Sequence, residues 1–335
     1  MIICKIGCKY AFKKVFLFNN YILLNPAYAD NLKDAVLMKT TDKNAVCNNG
    51  EQSTFVLSKS NSKNWFVYFQ GGGVASNPDQ YKNRAQHHKK PKNKNELLSY
   101  PITMDFKDKN YNILIIPYCT SDLHVGSHIN VIDGQDVYYH GRYIVKNIFD
   151  MMNESFATSE NLIFAGYSAG AIALGLNSDL IAQYKNSKVI VDSFWLDAES
   201  RRLRDEWTSG PWPKIVQFLY GDKLPKHCNN NWQSCFAQKS KFQDMGIDDV
   251  FPIWNIGDAY MIGDLDKNKK AIKDDIKHYN AGFSIDAVKL DADGFGIGHV
   301  ITANDLYTRE FNGISLRELI HNWMTKSNQT SLILY

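Results

Sequence analysis

Short runs of β-branched and aromatic residues alternate along the chain with stretches in which apolar side chains recur every three or four positions. Residues 54–57, 65–69, 113–118, 162–165, 189–195 and 251–256 read as strands, several of them apolar on both faces. Ile144, Val145, Ile148, Phe149 and Met152 repeat at helical spacing, as do Leu316, Leu319, Ile320, Trp323 and Met324. A strand that is apolar on both faces must be covered twice. The pattern therefore predicts an α/β fold, a mostly parallel sheet with helices on both faces. No internal repeat and no Pro/Gly/Ser linker divides residues 30–335, so one catalytic domain is expected there.

Residues 80–95 break this rhythm. They hold Arg84, His87, His88, Lys89, Lys90, Lys92 and Lys94 and almost nothing apolar. The segment reads as a solvated loop, with a site for an acidic polysaccharide as the functional alternative.

The first 29 residues also stand apart. Lys5, Lys9, Lys13 and Lys14 precede an apolar stretch interrupted by Asn19-Asn20, and Ala27-Tyr28-Ala29 supplies an A-x-A site. That order is the one of a secretory signal cleaved after Ala29, and its apolar run is too short for a membrane span. No later segment is a candidate to cross a bilayer. The net charge is +3 from 38 Lys and Arg against 35 Asp and Glu. It comes from those four lysines, so no general electrostatic case for binding nucleic acid survives.

Export would leave four cysteines, and an even number in an oxidising compartment predicts disulfides. Cys228 and Cys235 enclose a short polar loop, so the expected pairs are Cys228 with Cys235 and Cys47 with Cys119. Zinc needs more ligands than His227 beside Cys228 offers. A calcium loop starting at Asp264 would have Lys269 where glycine is required. Neither metal nor cofactor is expected.

The sharpest chemical signal is Gly166-Tyr167-Ser168-Ala169-Gly170, a G-x-S-x-G between a strand and a helical stretch at 171–184. A nucleophile elbow needs that context, because it requires a strand, a very tight turn and a helix N-terminus facing the developing charge. An oxyanion hole would combine the N–H of Ala169 with those of Gly72 and Gly73, which follow the strand at 65–69. Hydrolases with this elbow run in the order Ser, acid, His. His299 lies in a Gly-rich stretch and suits the base better than His278 or His321, which fall in helical patterns. Asp258, just past the strand at 251–256, suits the acid better than Asp293.

These residues resemble the pectin acetylesterase and Notum carboxylesterase family over most of the chain after residue 29. Cys47-Asn48-Asn49-Gly50 resembles its C-x-D-G-S opening, and Trp65 to Gly73 its strand ending in E-G-G-G. Pro117 to Asp122 with Gly126 is similar to its P-Y-C-S-S-D-x-x-x-G block, and Gly166 to Gly170 to its elbow. Asp192-Ser193 to Asp197 resembles its D-S/A-G-x-F-L-D segment, and Gly313 to Trp323 its last helix. The resemblance implies an α/β-hydrolase-like fold with Ser168, Asp258 and His299 as nucleophile, acid and base. It implies hydrolysis of O-acyl esters, acetyl on a polysaccharide or a fatty acyl group on a protein. Val74-Ala75 replace the family's Trp-Cys, Gln70 its Glu and Phe194 a Gly, and the Cys usual before the His is missing. Val74, Tyr167, Phe194 and Trp195 are the candidate pocket residues. A monomer, secreted or periplasmic, acting on an acetylated polysaccharide is the expected reading. A long-chain acyl-protein deacylase, an inactive carbohydrate-binding homologue and a protease of the same fold are the alternatives.

Overall fold

The computed structural model describes residues 34–92, 100–193, 212–220, 242–255, 270, 273–274, 276–279, 281–285, 300–303, 305–326 and 330–333. In chain order the strands are β1 (Val36–Lys39), β2 (Thr54–Ser58), β3 (Trp65–Phe69), β4 (Asn112–Ile116), β5 (His128–Ile132), β6 (Gln135–Tyr139), β7 (Leu162–Tyr167), β8 (Ser187–Asp192), β9 (Val250–Asn255), β10 (Gly282–Ile285), β11 (Glu310–Phe311), β12 (Ile314–Ser315) and β13 (Ser331–Ile333). The helices are α1 (Pro78–Lys82), α2 (Pro101–Asp108), α3 (Gly141–Ala157), α4 (Ala169–Leu176), α5 (Ser178–Ile181), α6 (Trp212–Tyr220) and α7 (Leu316–Thr325).

Among the described residues nine strands form one sheet in the order β1-β2-β4-β3-β7-β8-β9-β10-β13. Every pairing from β4 to β13 is parallel, whereas β2 runs antiparallel to both β1 and β4. Alternate side chains of the central strands enter two separate cores. Val67, Phe69, Leu114, Ile116, Phe164, Val189 and Val191 meet α3 and α4 through Ile148, Phe149, Phe156 and Leu174. Phe66, Tyr68, Ile113, Ile115, Ile163 and Ile190 meet α2 and α7 through Phe106, Leu316, Ile320 and Trp323. The all-apolar strands are thus buried on both faces, as the pattern predicts.

The boundaries differ from expectation where a polar network takes over from the sheet. β4 stops at Ile116 because Tyr118 turns away, its N–H donating to Gln70 Oε1 and its hydroxyl accepting from Leu123 N. β8 stops at Asp192 because Ser193 has a left-handed backbone, φ 62°. The helical stretch at 171–184 is two helices, α4 and α5, separated at Asn177, whose side chain bonds the Ala173 carbonyl and accepts from Arg142. The β5–β6 hairpin carries a readable signal, Asp133-Gly134 at positive φ, the residue pair that a tight hairpin turn favours.

Cys47 and Cys119 form a disulfide spanning 72 residues, as the cysteine spacing predicts. Cys228 and Cys235 lie outside the described residues. Closing so long a loop in the unfolded chain is worth about 4 kcal/mol by chain entropy. A Cys47→Ala/Cys119→Ala variant should lose that much in urea unfolding while a serine-directed probe still labels it. An unchanged unfolding midpoint would contradict the assignment of a stabilising role to this bond.

Candidate active site

Three neighbouring parallel strands deliver the site. In register, Phe69 of β3 faces Gly166 of β7, and Tyr167 of β7 faces Asp192 of β8, so all three carboxyl ends open on one edge of the sheet. Ser168 follows β7 directly, half-exposed, with φ 51° and ψ −119°. A non-glycine residue in that region carries about 1–3 kcal/mol of strain. The strain is held by bonds on both sides. Ser168 N–H donates to the Asp192 carbonyl at 3.0 Å, and the Ser168 carbonyl accepts from Ile172 N–H in the first turn of α4. Gly170 is required for the turn, since a Cβ there would lie 2.1 Å from the Phe69 carbonyl oxygen. This close approach sets the elbow against the Gly71–Gly73 loop, and Ala169 N–H begins the helix whose dipole favours negative charge at Ser168.

The Gly loop is anchored at each end. Gln70 N–H donates to Ile116 O, and Ala75 N–H to Ser121 O. The Gln70 carbonyl accepts from His124 Nε2 at 2.8 Å, while Gln70 Oε1 accepts from Lys92 Nζ at 2.6 Å. Because a carbonyl can only accept, the neutral His124 ring carries its proton on Nε2. Asp122 shapes the segment bearing His124. Its buried carboxylate accepts from Thr120 Oγ1 and from the amides of His124, Gly126 and Gly141. Burial pushes its pKa up to about 6, against the pull of these four donors.

Of the cationic segment, residues 80–92 are described, and they are only in part the solvated loop that composition predicts: Lys82, His87 and Lys90 are exposed while other side chains pack inward. Lys89 and Lys92 are buried, Lys89 Nζ bonding the Lys82 carbonyl and lying over the Tyr81 ring. Arg84 Nη2 reaches the Gly72 carbonyl at 2.5 Å, and His88 packs against Gly72 and Tyr118. Hydropathy does not register this packing because the partners are backbone carbonyls, aromatic rings and the Gln70 amide, which lie elsewhere in the sequence or carry no apolar period.

Asp192 is fully buried. Its Oδ2 accepts from Ile301 N, Thr302 N and Thr302 Oγ1 at 2.9, 2.7 and 2.6 Å, and its Oδ1 accepts from Ser193 Oγ. Ser193 Oγ accepts in turn from Val300 N at 2.7 Å. One residue thus ties the serine elbow, through its carbonyl, to the chain at 300–302, through its carboxylate. With its acceptor sites occupied in this way, Asp192 serves as a structural anchor. Its anchoring role is not legible in sequence, where it marks the end of an apolar strand and opens the Asp192 to Asp197 segment of the family resemblance without showing what its carboxylate holds.

Of the residues singled out by sequence, Gly72, Gly73, Val74, Tyr167, Ser168 and Ala169 are gathered here. Val74 packs on the buried cluster of Tyr118, Ile172 and Tyr220. The Tyr167 ring packs against Tyr68 and Tyr100, its hydroxyl 3.2 Å from that of Tyr100. Asp258, His299, Phe194 and Trp195 lie outside the described residues, as does Asp293. His278 pairs with Gln243 and His321 with Asp105, both structural contacts. Among the described residues no three His, Cys, Asp or Glu side chains gather for a metal, and no helix is long and apolar enough to cross a membrane.

Burial, with Lys92 nearby, holds the His124 pKa down at about 4. A lowered histidine contributes stability that is present above its ordinary value near 6.5 and is lost as pH falls toward 4, because only the unfolded chain then takes up the proton. The effect amounts to about 3 kcal/mol across that window. His124→Gln should flatten this part of the acid-unfolding profile. An identical slope in the variant would contradict the assignment.

The comparisons agree with this architecture. The crystal structure of the Wnt deacylase Notum from Drosophila superposes with a TM-score of 0.64 at 17% identity, covering 90% of this chain and 95% of that one, and thereby shows the α/β-hydrolase-like fold. The palmitoleoyl-protein carboxylesterase NOTUM of Schmidtea mediterranea is 28% identical over 45% of this chain and 33% of its own length. Palmitoleoyl-protein carboxylesterase notum1a of Danio rerio is 27% identical over 64% and 48%. The chain therefore spans less than half the length of these two relatives. Pectin acetylesterase 7 of Arabidopsis thaliana is 23% identical over 73% of this chain and 69% of its own. With the pectinacetylesterase family model matching residues 27–287, the chain belongs to the pectinacetylesterase family.

Proposed function

We propose that the protein is a secreted serine carboxylesterase, a single catalytic domain over residues 30–335 after removal of a signal at Ala29, which hydrolyses short O-acyl esters on a polysaccharide. The observation carrying this reading is the strained Ser168, set at a helix N-terminus against the glycine loop that ends β3. Ser168 Oγ attacks the ester carbonyl as His299 takes its proton, and Asp258 orients and stabilises the imidazolium. The oxyanion is held by the N–H groups of Gly72, Gly73 and Ala169. Collapse expels the alcohol, which takes the proton from His299. Water then cleaves the acyl-enzyme by the same steps.

Chain length is the second question, because several curated relatives are named palmitoleoyl-protein carboxylesterases. The acyl side starts at Val74, a small residue whose neighbours Tyr118, Ile172 and Tyr220 are buried against one another. That favours acetyl. A lipid pocket would add about 0.8 kcal/mol per methylene, roughly a fourfold gain each. With acetyl, butyryl and octanoyl esters of one alcohol, kcat/KM should peak at the short chains. A steady rise through octanoyl would support the long-chain deacylase instead.

A further inference from the structure

The described part of the cationic segment, residues 80–92, is left unexplained by the hydrolytic reading, yet it packs on the loop that reading depends on. Arg84 follows α1, where Asn77 caps the first turn and the Arg84 amide bonds the Tyr81 carbonyl. Its guanidinium lies over the Tyr118 ring, 5.9 Å from the centroid, and donates Nη2–H to the Gly72 carbonyl. Burial lowers its pKa below the usual guanidinium value, while Tyr118, Tyr139 and Asp122 favour the charged form. The next residue, Gly73, is exposed at φ 69°, a conformation that favours glycine.

A trans peptide is planar, so its C=O and N–H point in opposite directions, and the described chain has no cis bond. Fixing the Gly72 carbonyl therefore fixes the Gly73 N–H on the other side of the same plane, away from the guanidinium and on the exposed side of the loop. A charged donor on the carbonyl also polarises the peptide and makes that N–H a stronger donor. Glycine leaves this peptide free to rotate, so without an external bond the donor would lose its aim.

We infer that Arg84 is a positioning residue for the oxyanion hole, aiming the Gly73 N–H by holding the Gly72 carbonyl. This rests on the reading of Ser168 as nucleophile and deepens it. Arg84 does not touch the reacting atoms. Its loss should lower stabilisation of the tetrahedral state and leave ester binding nearly untouched.

The test uses the full chain, p-nitrophenyl acetate as ester, and phenyl trifluoromethyl ketone as a probe whose serine adduct carries the oxyanion. Arg84→Met should lower kcat by about 10- to 100-fold, less than outright loss of a donor, and raise Ki for the ketone in parallel. KM should stay within about twofold. Guanidinium ion added to Arg84→Ala should restore part of kcat, and should do nothing for Ser168→Ala. If Arg84→Met does not fold, Arg84→Gln, with a donor on a shorter stem, is read the same way. Wild-type kcat and Ki in a folded Arg84 variant would overturn the inference, as would a rise in KM at constant kcat, which would make Arg84 a substrate contact. Turnover by Ser168→Ala would instead sink the hydrolytic reading beneath it.

Discussion

Ser168→Ala is expected to lower ester hydrolysis by about a millionfold, and His299→Ala by a similar factor, because nucleophile and base act as a unit and either loss removes the covalent route. Folding should survive in the serine variant. Alanine loses only the hydroxyl, and the two backbone bonds that hold the elbow, from Ser168 N to Asp192 O and from Ile172 N to Ser168 O, remain. Relief of ground-state interactions at the hydroxyl can even raise its melting temperature. A fluorophosphonate should label the wild type and neither variant, since the reagent needs an activated serine as well as an accessible one. The pair of measurements separates the readings. An unlabelled but folded wild type would favour an inactive carbohydrate-binding homologue, while labelling without ester turnover would direct attention to peptide bonds. Asp258→Asn should cost as much or less, as the acid orients the imidazole and does not take its proton. A mild Asp258→Asn beside a crippled Asp293→Asn would reassign the acid.

Asp192→Asn is expected to cost both stability and activity. The carboxylate accepts four hydrogen bonds in the buried interior, three of them at Oδ2 from Ile301 and Thr302. An asparagine amide offers one oxygen and presents N–H groups where the other oxygen stood, so buried donors at one oxygen position lose their acceptor. Each orphaned buried donor costs about 1–3 kcal/mol, and the whole site should lose roughly 3–5 kcal/mol, as other broken buried charge networks do. Catalysis should suffer through the chain at 300–302. Val300 is bonded covalently to His299 and is held by Ser193, while Thr302 is shared with the Tyr68 hydroxyl. Hydrogen exchange at the amides of residues 300–302 reads the anchoring directly. It should accelerate in Asp192→Asn, with a lower kcat and little change in KM. Unchanged protection in a less active variant would place the role of Asp192 elsewhere.

Much of the fold was legible because the central strands are buried twice. Val67, Phe69 and their neighbours Phe66 and Tyr68 leave no polar position on either face, and such a run has no stable place except inside a covered sheet. The helices α3 and α7 announced themselves by spacing for the complementary reason, one buried stripe each. The elbow was legible because its turn admits so few residue types that five letters in the right context suffice. β1 was not, since it is a short edge strand whose apolar Val36 and Leu37 are exposed.

What the sequence by itself determined was the layered α/β architecture, the strained serine at the end of β7 and the partners of the Cys47–Cys119 bond. What tertiary structure alone decided was the polar scaffold around that serine. Arg84, Gln70, His124 and Asp192 reach backbone N–H and C=O groups 12 to 110 residues away, and Asp122 gathers amides from His124 to Gly141, in loops with positive φ at Ser121, Leu123, His124 and Ser193. A backbone carbonyl is the same in every residue, so composition and periodicity carry no trace of which one a side chain will reach. Folding assigns those partners, because the ends of β3, β7 and β8 are brought side by side only when the sheet is assembled.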